Sequence, residues 1–272
     1  MTPKDKKEND FQDSPEYLAK KAYYNRFITV YGKKAVQDLL TIHTDVQVER
    51  ILVDKENRSE GLRRIVQMAQ KRNIPIKEMY RDQLTRISKN KDEDQGIVAD
   101  VVGNIETDWK SCLDQSINGA FIALDGVTNP VNLGMIIRSA AAAGVEGLLI
   151  PEKGVPSINQ PLVIKAAAGT IFRMRIYRHP ELAEALKSAK TVGFKVIGLS
   201  DEPNAVNLFQ VAPAKRIIYV LGNESVGLSE EVRNLCDGFC KIPMTNQVES
   251  LNVAAAATLL AYTVGTQNFK SE

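Results

Sequence analysis

Side chains that commonly build metal or redox centres are scarce in this chain of 272 residues, which has three cysteines, two histidines and one tryptophan. Cys236 and Cys240 lie four residues apart, but His43 and His179 are distant from both in the sequence. We therefore expect no metal site. We interpret these two cysteines and Cys112 as buried structural thiols of a protein in a reducing compartment.

Long apolar runs and an excess of one charge are also lacking. No apolar run approaches the ~20 residues that span a bilayer, and the polar start MTPKDKKEND has no apolar core of a secretion signal. We therefore expect a cytoplasmic protein. Residues 1–117 and 118–272 each carry one more basic than acidic residue, for a net charge of +2, so the global charge gives no evidence for nucleic-acid binding.

Hydrophobic patterning divides the chain into four parts. Residues 1–26 are rich in lysine and acids, which predicts a flexible arm. Residues 27–102 predict a small α/β domain of a size that can fold alone, and the polar, irregular residues 103–118 predict a linker. In residues 119–272, alternating strands and helices predict a mostly parallel sheet flanked by helices on both faces. Strands are predicted there at 121–124, 147–150, 171–176, 194–199, 217–221 and 239–242, and helices at 134–143, 161–168, 181–190, 228–235 and 251–263.

The most informative segment is FIALDGVTNPVNLGMIIRSAAAAGVEGLLI, residues 121–150. An apolar strand runs into a turn that contains Asn129 and Pro130, and a helix and a second strand follow, which predicts a βαβ unit. Ligands of open α/β sheets bind at the carboxyl ends of strands, so Arg138, the only charged side chain inside this helix, is a candidate site residue. A helix arginine that reaches solvent or pairs with a carboxylate fits the spacing equally well.

Two further turns contain polar residues that suit chemistry. LGNESVGLSEEV begins at Leu221, and IPMTNQVESLNVAAAATLLAY begins at Ile242. Both follow predicted strands, so we expect all three turns at one edge of the sheet. Each turn alone has a purely structural interpretation, with glycine for the turn, serine or asparagine as a helix cap and glutamate near a positive helix N-terminus. Neither a GxGxxG segment after a strand nor a P-loop is present, so a nucleotide site of those kinds finds no support.

Taken together and in this order, NPVNLGMIIRSAAAAG and the other two segments resemble the three signature motifs of the SpoU (TrmH-like) family of RNA ribose 2′-O-methyltransferases, within the SPOUT superfamily. The resemblance covers residues 119–266. More weakly, VYGKKAVQDLL, ERILVDK, NIPIKEM and QGIVADV resemble the L30e-like substrate-binding domain that precedes the catalytic domain in many members. The family usually has histidine before the Gln-Gly of the last strand of that domain, where this chain has Asp94. This departure concerns RNA specificity and leaves the catalytic motifs intact.

The resemblance implies a C-terminal trefoil knot, an exception to the rule that chains avoid knots. It also implies S-adenosylmethionine as the cofactor, a homodimer formed through the catalytic domain, and no metal. The cofactor would lie, bent, against backbone groups and apolar side chains of the loops in the knot. The residues that the resemblance assigns to the cofactor are Leu199, Ser200, Leu221, Gly222, Asn223, Gly227, Ile242, Pro243, Met244 and Leu251.

Five polar residues of the motifs are the catalytic candidates. The family's matching arginine is proposed as the base, but a guanidinium is essentially never deprotonated in a protein. We therefore assign Arg138 to gripping the target phosphate and orienting the 2′-hydroxyl, with Glu224 as the alternative base or the charge partner of Arg138. Asn132, Ser250 and Asn252 would orient the loops and the nucleotide.

One pattern indicates RNA binding apart from the resemblance. No acidic residue lies between Glu152 and Glu181, an interval that contains five basic ones. Alternation in IFRMRIYR places Arg173, Arg175 and Tyr177 on one face of a predicted strand, which suits phosphate contacts and base stacking. An ordinary strand face whose arginines pair with acids elsewhere fits the same pattern. The predicted RNA-binding residues are Arg138, Lys165, Arg173 and Arg175.

The implied function is methyl transfer from S-adenosylmethionine to a ribose 2′-hydroxyl in structured RNA. The two-domain layout resembles enzymes that methylate guanosine in 23S-type ribosomal RNA more than the shorter transfer-RNA enzymes. A transfer-RNA 2′-O-methyltransferase, and a non-catalytic RNA-binding or ribosome-assembly protein of the same fold, are the alternatives.

Overall fold

The computed structural model describes residues 14, 27–42, 46–88, 91, 93–115, 117–212 and 214–265. The predicted N-terminal arm therefore lies outside the described residues, apart from Ser14. Among the helices of the described segments, none combines the length and the apolar character that crossing a membrane requires.

A small α/β unit occupies residues 28–102. Its elements are β1 (Ile28–Tyr31), α1 (Lys33–Thr41), β2 (Gln47–Asp54), α2 (Glu60–Lys71), β3 (Ile76–Met79), α3 (Arg81–Ser88) and β4 (Ile97–Val102). The strands form a sheet in the order β1-β4-β2-β3, in which β4 is antiparallel to β1 and β2 while β2 and β3 are parallel. Helix α2 is amphipathic and buries Leu62, Ile65 and Ala69 in the core.

A larger unit follows, built on one eight-stranded sheet. Its strands are β5 (Glu106–Asp108), β6 (Gly119–Leu124), β7 (Gly147–Pro151), β8 (Ile176–His179), β9 (Lys195–Leu199), β10 (Val206–Asn207), β11 (Arg216–Leu221) and β12 (Gly238–Lys241). Its helices are α4 (Trp109–Asp114), α5 (Pro130–Ala143), α6 (Pro161–Ala167), α7 (Leu182–Thr191), α8 (Glu230–Leu235) and α9 (Val253–Gly265), with 3-10 turns at Thr170–Phe172 and Leu208–Gln210.

This sheet is parallel throughout and is covered on both faces. The strand order is β10-β12-β9-β11-β6-β7-β8-β5. Ile122 and Leu124 of β6 pack with α5, α6 and α9 on one face, whereas Phe121 and Ala123 pack with α4, α7 and α8 on the other. Because both faces are buried, the strand is a continuous apolar run without alternation. The predicted α/β fold with a parallel sheet between helices is confirmed.

The predicted strand at 171–176 is wrong. Ala168 and Gly169 both have positive φ, and they end α6 in a tight turn that leads into the 3-10 turn. The side chains of Ile171 and Phe172 are therefore buried although both residues belong to the 3-10 turn. The strand begins only at Ile176. Period-2 alternation of apolar residues in IFRMRIYR was misleading because a 3-10 turn can bury the same residues.

Residues 103–118, predicted as an irregular linker, contain β5 and α4 of the larger unit. β5 pairs with β8 at the edge of the sheet. Trp109 is buried among Phe121, Tyr177 and Phe194, with ring centroids 5.6 to 6.2 Å away, and its indole N–H donates to the Ala185 carbonyl at 3.1 Å. The aromatic cluster orders a segment whose polar composition alone predicts a loop.

In the small unit, the sequence gives only a weak signal for α3. Helix α3 places Leu84 in a core with Tyr31, Leu52 and Val98. Its sequence RDQLTRIS is largely polar, so a single fully buried leucine gave too weak a periodic signal.

Side-chain contacts join the two units. The Tyr31 hydroxyl donates to the Pro161 carbonyl at the start of α6, at 3.5 Å, and Lys165 of α6 pairs with Glu93. Apolar residues of the two units also belong to one continuous core. The small unit therefore sits at a fixed place on the larger one.

Candidate active site

Three polar loops begin at one edge of the parallel sheet, after β6, β11 and β12. Leu124 of β6, Leu221 of β11 and Leu199 of β9 lie side by side in register at the ends of their strands. The loops that follow these strands and β12 therefore leave the sheet at one edge, as the sequence predicted.

The loop after β6 is held by caps and cross-loop bonds. Asn129 caps α5, because its Oδ1 accepts from the backbone N–H of Val131 at 2.8 Å and of Asn132 at 3.2 Å. The Asp125 carboxylate accepts the backbone N–H of Ser229 at 2.7 Å, a residue of the loop after β11. Two of the three loops are thus joined at their bases.

The loop after β11 is a tight turn that presents Glu224. The backbones of Asn223 and Gly227 exchange two hydrogen bonds of 2.9 Å. The Asn223 side chain accepts from Ser225 N–H at 2.8 Å and donates to the Gly126 carbonyl at 2.7 Å. Because these four hydrogen bonds fix the turn, the carboxylate next to Asn223 has a defined position.

Side chains from all three loops meet at Glu224. Its Oε1 accepts a short hydrogen bond from Asn132 Nδ2 and a longer one, of 3.5 Å, from Asn252 Nδ2. Asn252 Nδ2 also lies 3.2 Å from Asn132 Oδ1, while its own Oδ1 accepts the Ala254 N–H at the start of α9. The structure therefore brings together three of the five catalytic candidates as one hydrogen-bonded set.

Arg138 lies apart from this set. It is exposed on α5, and no carboxylate of the described segments pairs with it. Asn132 is six residues earlier on the helix, about 240° around the axis at 100° per residue, so the two side chains point to different sides. The pairing of Arg138 with Glu224 is not seen among the described residues of this single chain and stays a prediction. Ser250 is exposed on the rim of the neighbouring cavity.

A cavity of about 610 Å³ opens between the loops after β9, β11 and β12. It is lined by all ten residues that the sequence assigned to the cofactor, together with Glu224 and Ser250. Five further lining residues were not predicted as site residues, although three of them lie within the third motif. These are Asp201, Lys241, Val248, Glu249 and Val253.

Gly222 shapes this cavity through a close backbone approach. A Cβ at this position would collide with the Gly227 carbonyl group and lie 2.6 Å from the backbone nitrogen of Leu228. Only glycine lets β11 pass into the tight turn at this distance. The turn that presents Glu224 and one wall of the cavity therefore both require glycine at position 222.

The predicted basic strip does not exist as a free strand face. Lys165 pairs with Glu93, Arg175 pairs with Glu146, and Arg173 lies 3.7 Å from the Asp38 carboxylate. Tyr177 is buried beside Trp109. The alternative interpretation, in which these cations pair with acids elsewhere in the chain, is the one that the structure supports for the three residues.

Within the described segments, no cluster of three or more His, Cys, Asp or Glu residues could hold a metal ion. Cys112 and Cys240 are buried and Cys236 is partly buried. Burial raises the pKa of Cys112 and Cys236 to about 11, and that of Cys240 to about 12. All three are therefore protonated thiols at neutral pH.

Comparison with known proteins matches both units. The family model of the SpoU rRNA methylase family matches residues 119–262, and that of the RNA 2′-O ribose methyltransferase substrate-binding domain matches residues 29–104. A Staphylococcus haemolyticus protein described as a TrmH family tRNA/rRNA methyltransferase is 29% identical over 242 residues, which cover 87% of this chain and 94% of the relative.

Two solved structures share the fold over both units. The SpoU methyltransferase AviRb from Streptomyces viridochromogenes, in complex with the cofactor AdoMet, has a TM-score of 0.72 and 25% identity and covers 92% of this chain and 94% of its own. An AdoMet-bound rRNA methyltransferase from Sinorhizobium meliloti has a TM-score of 0.74 and 20% identity and covers 92% of this chain and 90% of its own.

We predict that Gly222→Ala destabilises the protein by about 1–3 kcal/mol, because the added methyl group overlaps the backbone of the tight turn. Gly238→Ala is the matched control: it lies on β12 of the same sheet, and its Cβ would meet only Ile197 Cδ1 at 3.6 Å. Urea unfolding of the two variants measures the difference. Equal free energies of unfolding would show that the turn adjusts to the methyl group.

Proposed function

The chain belongs to the SpoU rRNA methylase family, and from this premise we propose that it transfers a methyl group from S-adenosylmethionine to the ribose 2′-hydroxyl of a nucleotide in structured RNA. The observation that carries the proposal is the meeting of Asn132, Glu224 and Asn252 beside a cavity of cofactor size. The residues 29–104 that match a substrate-binding domain supply a second RNA contact.

The cavity fits S-adenosylmethionine in size and chemistry. Its volume lies within the roughly 300–1,000 Å³ of small-molecule sites. Leu199, Leu221, Ile242 and Leu251 offer apolar contacts to an adenine ring, and backbone groups of the same loops offer hydrogen bonds. AviRb, at 25% identity, binds AdoMet with the same fold, which supports this cofactor here.

The bound cofactor supplies a methyl group that its sulfonium already activates. The protein must then orient the attacking hydroxyl and accept its proton. Asn132 and Asn252 hold Oε1 of Glu224, while no described residue donates a hydrogen bond to Oε2. We assign Oε2 as the acceptor of the 2′-hydroxyl proton and Ser250, on the cavity rim, to positioning the ribose.

Arg138 serves substrate binding in this mechanism. Its guanidinium is exposed and has no carboxylate partner among the described residues. Such a group suits bidentate binding of a phosphate. We assign Arg138 to the phosphate of the target nucleotide.

The outer face of α5 and α9 supports a homodimer. Val131 and Met135 of α5, and Leu259 and Tyr262 of α9, are large apolar side chains exposed on these helices. The Ser139 and Thr258 hydroxyls, 2.7 Å apart, fix one helix against the other. An exposed apolar face of this kind is typical of a subunit interface. A second copy there would place Arg138 at the junction of two subunits.

The strand order supports the trefoil knot that the family resemblance implies. β12, near the end of the chain, is inserted between β9 and β10. From there the chain crosses the ends of β9 and β11 to reach α9, which packs on α5 and β6. We propose that this crossing is the knotted segment and that it forms the cavity.

Ribosomal RNA is our preferred substrate, with guanosine as the target nucleoside. The support is the two-unit layout, which this chain shares over 92% of its length with a protein named as an rRNA methyltransferase. The Staphylococcus haemolyticus relative is named for both transfer and ribosomal RNA, so transfer RNA is the second candidate.

Transfer of tritiated methyl from S-adenosylmethionine to total RNA tests the proposal. We expect label in RNA and, after nuclease digestion, recovery of it as one 2′-O-methylated nucleotide. Ribosomal and transfer RNA fractions identify the substrate class. Binding of RNA without transfer would instead support a non-catalytic ribosome-assembly role. Calorimetry of S-adenosylmethionine binding in excess chelator should show unchanged affinity, and a metal-dependent affinity would contradict the absence of a metal.

For Arg138→Ala we predict a loss of turnover of about 10²-fold or more, because one well-placed electrostatic group commonly contributes about 3 kcal/mol to the barrier. Cofactor affinity, measured by calorimetry, should be unchanged since Arg138 does not line the cavity. Arg138→Lys should also fail, because an ammonium group lacks the bidentate fork. Normal turnover of Arg138→Ala would remove this residue from the mechanism.

A third expectation concerns assembly. Met135→Glu places a charge on the exposed face of α5 and should shift the protein from dimer to monomer in sedimentation. Val192→Glu is the control, since Val192 is also exposed but follows α7 on the opposite face of the sheet. An unchanged dimer in both variants would move the interface away from α5 and α9.

A further inference from the structure

An exposed aromatic ring stands at one edge of the small sheet. Tyr80 follows β3 and is 56% exposed, although it is among the largest side chains of the unit. The Lys55 ammonium, which follows β2, lies 3.1 Å from the centroid of its ring. The ammonium covers this face of the ring, so a base can stack on the other face or after Lys55 moves aside. Surfaces that bind nucleic acids combine aromatic rings and cations in this way.

The backbone beneath the ring is fixed. Tyr80 N–H donates to Gln83 Oε1 at 3.3 Å, and its carbonyl accepts from the N–H groups of Gln83 and Leu84 at 3.0 and 3.1 Å. Lys55 N–H donates to the Met79 carbonyl at 3.0 Å. The exposure of the ring therefore does not result from a loosely held chain, and the sheet presents it in one place.

The next residue anchors the neighbouring loop. Arg81 pairs with the fully buried Asp94 at 2.5 Å. Asp94 also accepts from the Ser88 hydroxyl at 2.8 Å and from Gly96 N–H at 2.9 Å. This residue, which departs from the family pattern, thus fixes the chain that follows the ring and does not itself reach solvent.

The ring lies at the same edge of the small sheet as one contact with the larger unit. Because β1, β2 and β3 all end at the same edge, Tyr80 shares this edge with Tyr31, whose hydroxyl contacts Pro161 at the start of α6. β1 and β3 are three strand spacings apart, about 14 Å at 4.7–4.9 Å each. A few unpaired nucleotides span such a distance.

We propose that Tyr80 and Lys55 form a stacking site for an unpaired base of the RNA substrate, with Lys55 contacting the adjacent phosphate. The inference rests on the proposed function and names the part of the substrate that the small unit binds. An exposed tyrosine next to a lysine matches single-stranded recognition, in which bases stack on aromatic rings and tolerate changes of sequence. Paired bases are already stacked and cannot use the ring in this way.

The test uses the full chain and a short single-stranded RNA that carries one 2-aminopurine, whose fluorescence reports stacking. Tyr80→Leu should weaken binding by about tenfold, the scale of base–aromatic stacking, whereas Tyr80→Phe should bind as the unchanged protein does. Phe209→Leu is the matched control, because Phe209 is also 56% exposed but belongs to the larger unit. It should leave binding unchanged.

Lys55→Gln should weaken binding less and should lower the dependence of affinity on salt by about one phosphate contact. Calorimetry with S-adenosylmethionine verifies that each variant is folded. Normal binding by Tyr80→Leu, equal losses in Tyr80→Phe and Tyr80→Leu, or an equal loss with a fully paired RNA would each overturn the stacking site. If the unchanged protein bound the probe but transferred no methyl group to RNA, the proposed reaction would fail while the stacking site would stand.

Discussion

One carboxylate oxygen, Glu224 Oε1, connects loops that begin at three different strands of the parallel sheet. Asn132 and Asn252 donate to it from the N-terminal ends of α5 and α9. A hydrogen bond to a charged acceptor is stronger than a neutral one, so the set aligns both helices on the turn after β11. The cavity, the exposed Ser250 and the position of Glu224 all depend on this alignment.

Much of this arrangement could be predicted because parallel strands are buried on both faces. The continuous apolar runs at 121–124 and 217–221 predicted strands, and the topology then required their following loops to share one edge. Most of the residues that line the cavity were predicted from the motifs. The alternation in IFRMRIYR failed because the left-handed Ala168 and Gly169 begin a 3-10 turn there, a conformation that no local periodicity indicated.

The role of the basic residues could not be predicted from the sequence in the same way. The acid-free interval before Glu181 predicted an RNA strip, but the partners of its cations are distant in sequence: Arg173 finds Asp38, Lys165 finds Glu93 and Arg175 finds Glu146. Two of these pairs join the small unit to the larger one. Arg173 and Lys165 thus contribute to the arrangement of the two units.

The order of the motifs along the chain has a consequence for protein synthesis. Asn132 and Asn252 are 120 residues apart, and α9 packs on β6 and α5, which the ribosome delivers much earlier. A nascent chain therefore exposes its first motif without the asparagine and helix that complete it. A chain terminated before residue 252 would lack Val253 of the cavity wall, the Asn252 amide that contacts Glu224, and α9. The hydrogen-bonded set is therefore complete only in molecules whose translation has passed the last motif.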